Sequence, residues 1–221
     1  MPVPRFIILA SNSPRRRELL SLTGWDFSSS PANIDETPLA GEKPDRYVAR
    51  LAREKALACR TKQSGLILAA DTIVVDAGQL MGKPADAADA ACMLKKLRGH
   101  THQVMTAFAL LDHALNHLEQ GICITDVPMR RYSDDEIQAY IDTGDPLDKA
   151  GAYAIQHAGF HPVEKFQGCF SSVMGLPLCH IARLAARFDL PVSTDMVAGC
   201  EKTNRYTCPI HQQVAAGAEI G

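Results

Sequence analysis

The sequence predicts a mixed α/β domain built on one sheet with flanking helices, and three observations lead there. A short apolar run, Phe6-Ile-Ile-Leu-Ala10, passes through a polar turn straight into a helix-like segment at Pro14. A longer apolar run, Leu66 to Val75, carries one carboxylate, Asp71, in its middle. Two further strand-like runs, Val104 to Leu111 and Gly121 to Met129, follow each other with no helix between them. That last pair reads as a hairpin, so the sheet is expected to be mixed and not purely parallel.

Taken in order, Phe6 to Ala10 is bounded by Ser11-Asn12-Ser13 and reads as a buried strand. Ser13 suits a helix cap and Pro14 the first helical position, while Gly24 follows Leu19, Leu20 and Leu22 as a stop. A second helix begins near Pro44, with Val48, Leu51, Lys55 and Ala58 or Cys59 on one stripe. Leu66 to Val75 is a central strand, and Asp76-Ala77-Gly78-Gln79 a turn. Ala87 to Leu97 is an Ala-rich helix, and the two hairpin strands follow, joined by a polar segment. Ser133 and Glu136 have capping-box spacing and open a helix through Ile137, Tyr140 and Ile141, ended by Gly144. Ala150 to Ile155 and Pro162 to Phe166 read as strands. Pro177, Ile181, Leu184 and Phe188 recur at helical spacing before Pro191. From Val192 the periodicity is lost. The organisation expected is therefore a domain over 1–191 and a tail, 192–221, with no assigned role.

Length and composition set the outer limits. The chain has 221 residues, enough to bury roughly 70% of its unfolded surface without staples. Hydrophobic residues are 46% and charged residues 22%, which excludes a disordered chain. The net charge of -2 gives no support to nucleic-acid binding or to binding at a membrane surface. No apolar run approaches the ~20 residues of a membrane span, and Phe6 to Ala10 is too short for a signal peptide. The 7 cysteines are odd in number and contain no Cys-x-x-Cys pair, the pattern of thiols kept reduced in the cytoplasm.

Few residues carry obvious chemistry. Arg15, Arg16 and Arg17 sit at a helix N-terminus, where positive charge is unfavourable unless an anion is present. With Ser11, Ser13 and the free amides they would cradle a phosphate; otherwise they solvate a surface helix. Lys55 projects from the apolar side of its helix, so it either snorkels or faces a cleft and meets an anion. Asp71 is costly in a buried strand unless it is paired with a lysine, binds a metal or acts as a base. Asp35 and Glu36 supply further carboxylates able to share a cation, and Gly82-Lys83-Pro84 adds a cation on a turn. The chain lacks the P-loop, Gly-x-Gly-x-x-Gly, His-Glu-x-x-His and Gly-x-Ser-x-Gly signatures. His100-Thr-His102 on a turn reads as polar and not as a metal pair. The spacing of Cys200, Cys208 and His211 fits no common zinc pattern.

Leu9-Ala-Ser-Asn-Ser-Pro-Arg-Arg-Arg17, Leu51-Ala-Arg-Glu-Lys-Ala56, Ala70-Asp-Thr72, Gly82-Lys-Pro84, Asp148-Lys-Ala-Gly-Ala-Tyr153 and Val173-Met-Gly-Leu-Pro177 occur in the order of the Maf family. From about Val3 to Phe188 the chain resembles its nucleotide pyrophosphatases, most of all the dTTP/UTP branch. The resemblance implies a Maf/inosine-triphosphatase-like α/β fold with two lobes around a deep cleft. It also implies a homodimer that hydrolyses a nucleoside triphosphate to the monophosphate and pyrophosphate with a divalent cation, Mg or Mn. By the same resemblance Asp71 is catalytic, and Arg15, Thr72 and Gln156 set specificity. Ser11, Arg15, Arg16, Lys55 and Lys83 surround the phosphates, and Glu36 and Asp71 hold the metal. Ala154-Ile155-Gln156-His157 stands where the family has Gly-Ile-Gln-Gly, and Phe170-Ser171-Ser172 departs from the usual segment. The first departure bears on the nucleobase pocket and not on the chemistry. Two alternatives stand beside the main reading: a pyrophosphatase for methylated guanine or other modified nucleotides, and a nucleotide-binding regulator of septum formation.

Overall fold

A six-stranded sheet organises the residues that the computed structural model describes, 6–59, 61 and 65–221. In chain order the elements are β1 (Ile7–Leu9), α1 (Pro14–Ser21), β2 (Phe27–Ser29), α2 (Pro44–Ala58), β3 (Leu66–Asp76), β4 (Gln79–Met81), α3 (Ala87–Leu97), β5 (Thr101–Asp112) and β6 (His117–Pro128). Then follow α4 (Asp134–Asp142), α5 (Phe170–Val173), α6 (Leu178–Ala185), α7 (Met196–Asn204) and α8 (His211–Ala215). The sheet order is β2-β1-β3-β5-β6, and β4 also pairs with β3. β1 runs parallel to β2 and β3, whereas β3, β5 and β6 are antiparallel neighbours, so the sheet is mixed.

Helix α2 covers one face of the sheet. Its Val48, Ala52 and Ala56 pack on Ile67, Ala69, Ile73 and Val75 of β3 and on alternate residues of β5. The opposite face carries two cores side by side along the strands. In one, α1 and α6 cover Leu66, Leu68 and Ala70 of β3 with Phe108 and Leu110 of β5. In the other, α3 and α4 cover Val74, Val104 and Val127. The strand period of two puts Thr72 and Thr106, paired across β3 and β5, between these cores. Two apolar lobes thus meet at a polar seam.

Two expected strands are absent. Ala150–Ala152 forms a 3-10 turn in which Gly151 and Ala152 both have positive φ, so the segment folds over Val74 and does not extend along an edge. At 162–166 only Val163 bridges Met129, with positive φ at His161 and Lys165 on either side. The segment from Val192 is not irregular either, since it contains α7 and α8. It docks through Met196, buried in the α1/α6 core, through Ser193 N–H to Thr23 O at 2.8 Å, and through Val214, buried beside Cys123.

Candidate active site

Strand β3 is longer than its neighbours on one edge. Its residues Leu66–Leu68 pair with β1 and Val74–Asp76 pair with β4, which leaves 69–73 with no strand on that side. A cavity of about 870 Å³ opens at this gap, between the two lobes. β1 ends beside it, and the chain turns through Ser11 and Ser13 to bring the N-terminus of α1 to the cavity wall. This is the position expected of ligand sites in open α/β sheets, at the carboxyl ends of strands.

Asp71 and Thr72 stand back to back on β3 and so face opposite sides of the gap. On the α2 side, Lys55 ion-pairs with Asp71 and, at 2.7 Å, with Glu36. The Lys55 and Asp71 side chains are each only 12% exposed. Of the two readings of Lys55, the cleft-facing one is the structure's; its ammonium meets carboxylates of the chain itself. Tyr47, two turns before Lys55 on α2, donates from its hydroxyl to Glu36 O at 2.8 Å. Burial raises the Tyr47 pKa, and the Asp71 and Glu36 charges raise it further. Asp35 turns away from the cavity and accepts from Thr37 N–H at 2.9 Å.

On the other side Arg16 organises the wall. Its Nε donates to Gly175 O at 2.9 Å, Nη2 to Thr72 Oγ1 at 3.2 Å and Nη1 to Ser11 Oγ at 3.5 Å. Burial lowers the Arg16 pKa, and Asp71 opposes that shift. Thr106 donates its only hydroxyl proton to Ser172 O at 2.8 Å. The 2.9 Å contact between Thr72 and Thr106 must therefore use the proton of Thr72. Thr72 is left able only to accept from a ligand. Gly175 has φ +104, and a Cβ there would lie 3.2 Å from Arg16 Nε and 3.3 Å from Thr72 Oγ1. Only glycine lets the backbone approach this closely.

The remaining expected residues fall in the same cavity. Arg15 and Lys83 line it without a close ion pair among the described residues, Arg15 acting on Asp148 through space, and Gln156 lines it as an exposed side chain. Ser11 stands just behind the wall, and its Oγ accepts from Ser13 N–H at 3.1 Å. Arg17 is not part of the site; it folds back to donate to Asn12 O. His157 also turns aside, its Nδ1 accepting from Phe160 N–H at 2.9 Å and its ring packed on Tyr140. His100 and His102 have separate partners, Asp76 and Tyr153, and form no metal pair.

Tyr47, Lys149, Asp148 and Gly175 line the cavity although they had no role in the sequence reading. Tyr47 was within reach, since it continues the stripe of Leu51 and Lys55 at a spacing of four. Lys149 bonds Asp148 Oδ1 and Asp145 O, both at 2.6 Å, which draws the Asp148 pKa down. Gly175 could not be found from spacing, because its partners Arg16 and Thr72 are remote in sequence.

The cavity suits a polyanion. Arg15, Arg16, Lys55, Lys83 and Lys149 outweigh Glu36, Asp71 and Asp148 around it. The donor set also fits a hard divalent cation. Glu36 and Asp71 already converge on one positive point, the Lys55 ammonium, and oxygen ligands of this kind hold Mg or Mn together with phosphate oxygens.

The family model described as "Maf-like protein" matches residues 6–188. A Geobacter sulfurreducens protein named dTTP/UTP pyrophosphatase is 47% identical over 176 residues, covering 79% of this chain and 92% of that one. A Geotalea uraniireducens protein of the same name is 49% identical, covering 79% and 91%. One from Escherichia coli (strain UTI89 / UPEC), again of that name, is 46% identical, covering 83% and 93%.

Proposed function

The chain belongs to the family of Maf-like proteins, and from that membership we propose that it is a nucleoside triphosphate pyrophosphatase acting on dTTP and UTP. The observation that carries the reading is the cavity at the gap in the sheet, where a paired carboxylate on β3 faces a wall of cations. The names of the relatives supply the substrate.

In the proposed reaction water attacks the α-phosphorus, the α–β bridging oxygen leaves with its electron pair as pyrophosphate, and a proton passes from water to the Asp71 carboxylate. Asp71 uses one oxygen on Lys55, and its other oxygen has no hydrogen bond among the described residues. A triphosphate entering the cavity competes for the Lys55 ammonium, which loosens that pair and frees a carboxylate oxygen of Asp71 to meet the attacking water. Arg15 and Lys83, in no close ion pair among the described residues, neutralise the phosphates where charge builds in the transition state. Arg16 positions more than it binds: three of its donors hold Ser11, Thr72 and Gly175 while two N–H groups remain for phosphate. Glu36 and Asp71 would hold a divalent cation, which supplies Lewis-acid charge neutralisation when bound. Gln156 offers one donor and one acceptor, the complement of the carbonyl and N3–H edge of uracil and thymine, and Thr72 adds an acceptor.

A panel of nucleoside triphosphates with separate detection of pyrophosphate and phosphate tests this. The expected result is pyrophosphate from dTTP and UTP ahead of dCTP, CTP and the purine nucleotides. Gln156→Glu should erode that ranking, since Glu lacks the amide donor that the carbonyl of uracil or thymine accepts from. Best turnover of a guanine nucleotide would favour the alternative pyrophosphatase, and no release from any nucleotide would favour a binding protein. The proposal includes a cytoplasmic homodimer. All 7 cysteines are free thiols, as a reducing compartment requires, and light scattering reads the oligomeric state.

A further inference from the structure

Away from the cavity, behind the sheet residue Thr106, three donors of soft-metal type converge in the protein interior. Cys123 on β6 is paired across the sheet with Thr106; Cys169 precedes α5; His180 lies on α6. Their ligand atoms all lie within 4.8 Å of one another, and the residues are 1%, 5% and 2% exposed. We infer that Cys123, Cys169 and His180 form a buried zinc site that fastens the C-terminal segment to the domain.

The histidine carries much of the argument. His180 Nε2 donates to Ile220 O at 2.8 Å, which fixes the tautomer and leaves the Nδ1 lone pair free. Nδ1 is buried without a hydrogen bond of full geometry, and the Cys169 thiol interacts with the same ring. An unsatisfied nitrogen in an apolar interior is costly unless something occupies it. A ring whose other N–H is held by a backbone carbonyl is the usual arrangement for a metal-bound histidine. Each sulfur also has a hydroxyl beside it, Thr125 Oγ1 at 3.6 Å from Cys123 and Ser171 Oγ at 3.4 Å from Cys169, able to donate to a thiolate. Charge supports the same reading, because two thiolates and one Zn²⁺ sum to zero and a neutral cluster is tolerable where a lone ion is not. In a tetrahedral zinc site, metal–sulfur distances of about 2.3 Å and metal–nitrogen distances of about 2.0 Å put these ligand atoms roughly 3.5–3.8 Å apart, inside the 4.8 Å within which the three already lie.

The set differs from the one that the sequence spacing brought up. Cys200 Sγ is within 3.3 Å of Asn204 Nδ2, and His211 Nδ1 is bonded to Cys208 O at 2.9 Å. Cys208 and Cys179 pack against the proposed cluster, and water in the fourth position is the occupant that keeps it neutral. The orienting carbonyl of Ile220 belongs to the tail, which makes docking of the tail and formation of the site one event.

The test is a titration of the reduced full-length protein, stripped with chelator, by Co²⁺ and then Zn²⁺. We expect one equivalent of Co²⁺ with sulfur-to-cobalt charge-transfer absorption, bleached stoichiometrically by zinc. Cobalt on the oxygen ligands Glu36 and Asp71 gives no such band. Cys169→Ser and His180→Gln should bind roughly tenfold or more weakly, whereas Cys92→Ser, at an exposed thiol on α3, should bind like the parent. Zinc should raise the melting temperature of the parent and not of Cys169→Ser. Absence of the band in the parent overturns the assignment even if the variants fail to fold. So does a band that persists in both Cys123→Ser and Cys169→Ser, or a quantitative Cys123–Cys169 disulfide in protein isolated without reductant.

Discussion

Asp71 and Lys55 each do two things at once, and substitutions separate them. Asp71→Asn keeps the side-chain shape and a hydrogen-bond acceptor for Lys55. It should leave the melt near that of the parent and lower turnover by ~10²–10⁴-fold, as expected for a lost base. Near-parental turnover would remove Asp71 from the chemistry. Lys55→Met suits the apolar side of α2 and favours helix. Slower turnover or a raised KM is expected; a large loss of melting temperature with unchanged kinetics would make Lys55 structural only. At this scale the sequence revealed the groups whose cost is intrinsic, such as a carboxylate inside an apolar strand or arginines at a helix N-terminus. It did not reveal the use of Arg16 as a brace, since the partners Thr72 and Gly175 lie 56 and 159 residues away. Nor did it reveal that His157 would turn onto Tyr140.

Elements were legible where their signals are local. Ser13 caps α1 and accepts from Arg16 N–H, and the capping box of α4 is complete, with Ser133 and Glu136 each bonded to the other's backbone N–H. Ser133→Ala should cost ~0.5–2 kcal/mol in urea unfolding while leaving nucleotide turnover intact, because α4 packs in the outer lobe and does not line the cavity. The bounds of α3 agree with the apolar pattern to the residue. β2 and β4, three residues each, are too short to set up an alternation, and their pairing with β1 and β3 is a property of the sheet. The apolar runs near 150 and 162 resemble strands because they cover a core; positive φ at Gly151, Ala152, His161 and Lys165 makes them turns instead.

On the scale of the whole molecule, the mixed sheet and the two lobes were foreseen, but the docking of the tail was not. Residues 192–221 dock through two short helices, with Met196, Val197 and Cys200 on one core and Ile210 and Val214 on another, runs too brief to set up a clear period in the sequence. Global stability should also depend on His102, which is buried against Tyr153 with its pKa lowered to about 4 by desolvation. The unfolded chain, with an ordinary histidine pKa near 6.5, holds more protons between pH 4 and 6.5. Stability is therefore complete above that window and is lost as pH falls through it, by an amount on the order of 3 kcal/mol. Urea midpoints at pH 7 and pH 4.5 should separate less in His102→Gln than in the parent. Equal separation would exclude His102 as the cause.

The unpaired stretch of β3 also makes the backbone a reporter. Leu66 N–H donates to Phe6 O and Leu68 O accepts from Ala10 N–H, so the even-numbered residues turn their amides toward the β1 and β4 edge. At Thr72, which lines the cavity, that edge has no strand, and its N–H opens toward the place where nucleotide would lie. Deuterium should enter the Thr72 amide quickly while those of Ala69, Asp71 and Ile73, bonded toward β5, stay protected. A bound non-hydrolysable triphosphate would slow uptake there, giving a readout of occupancy that needs no turnover.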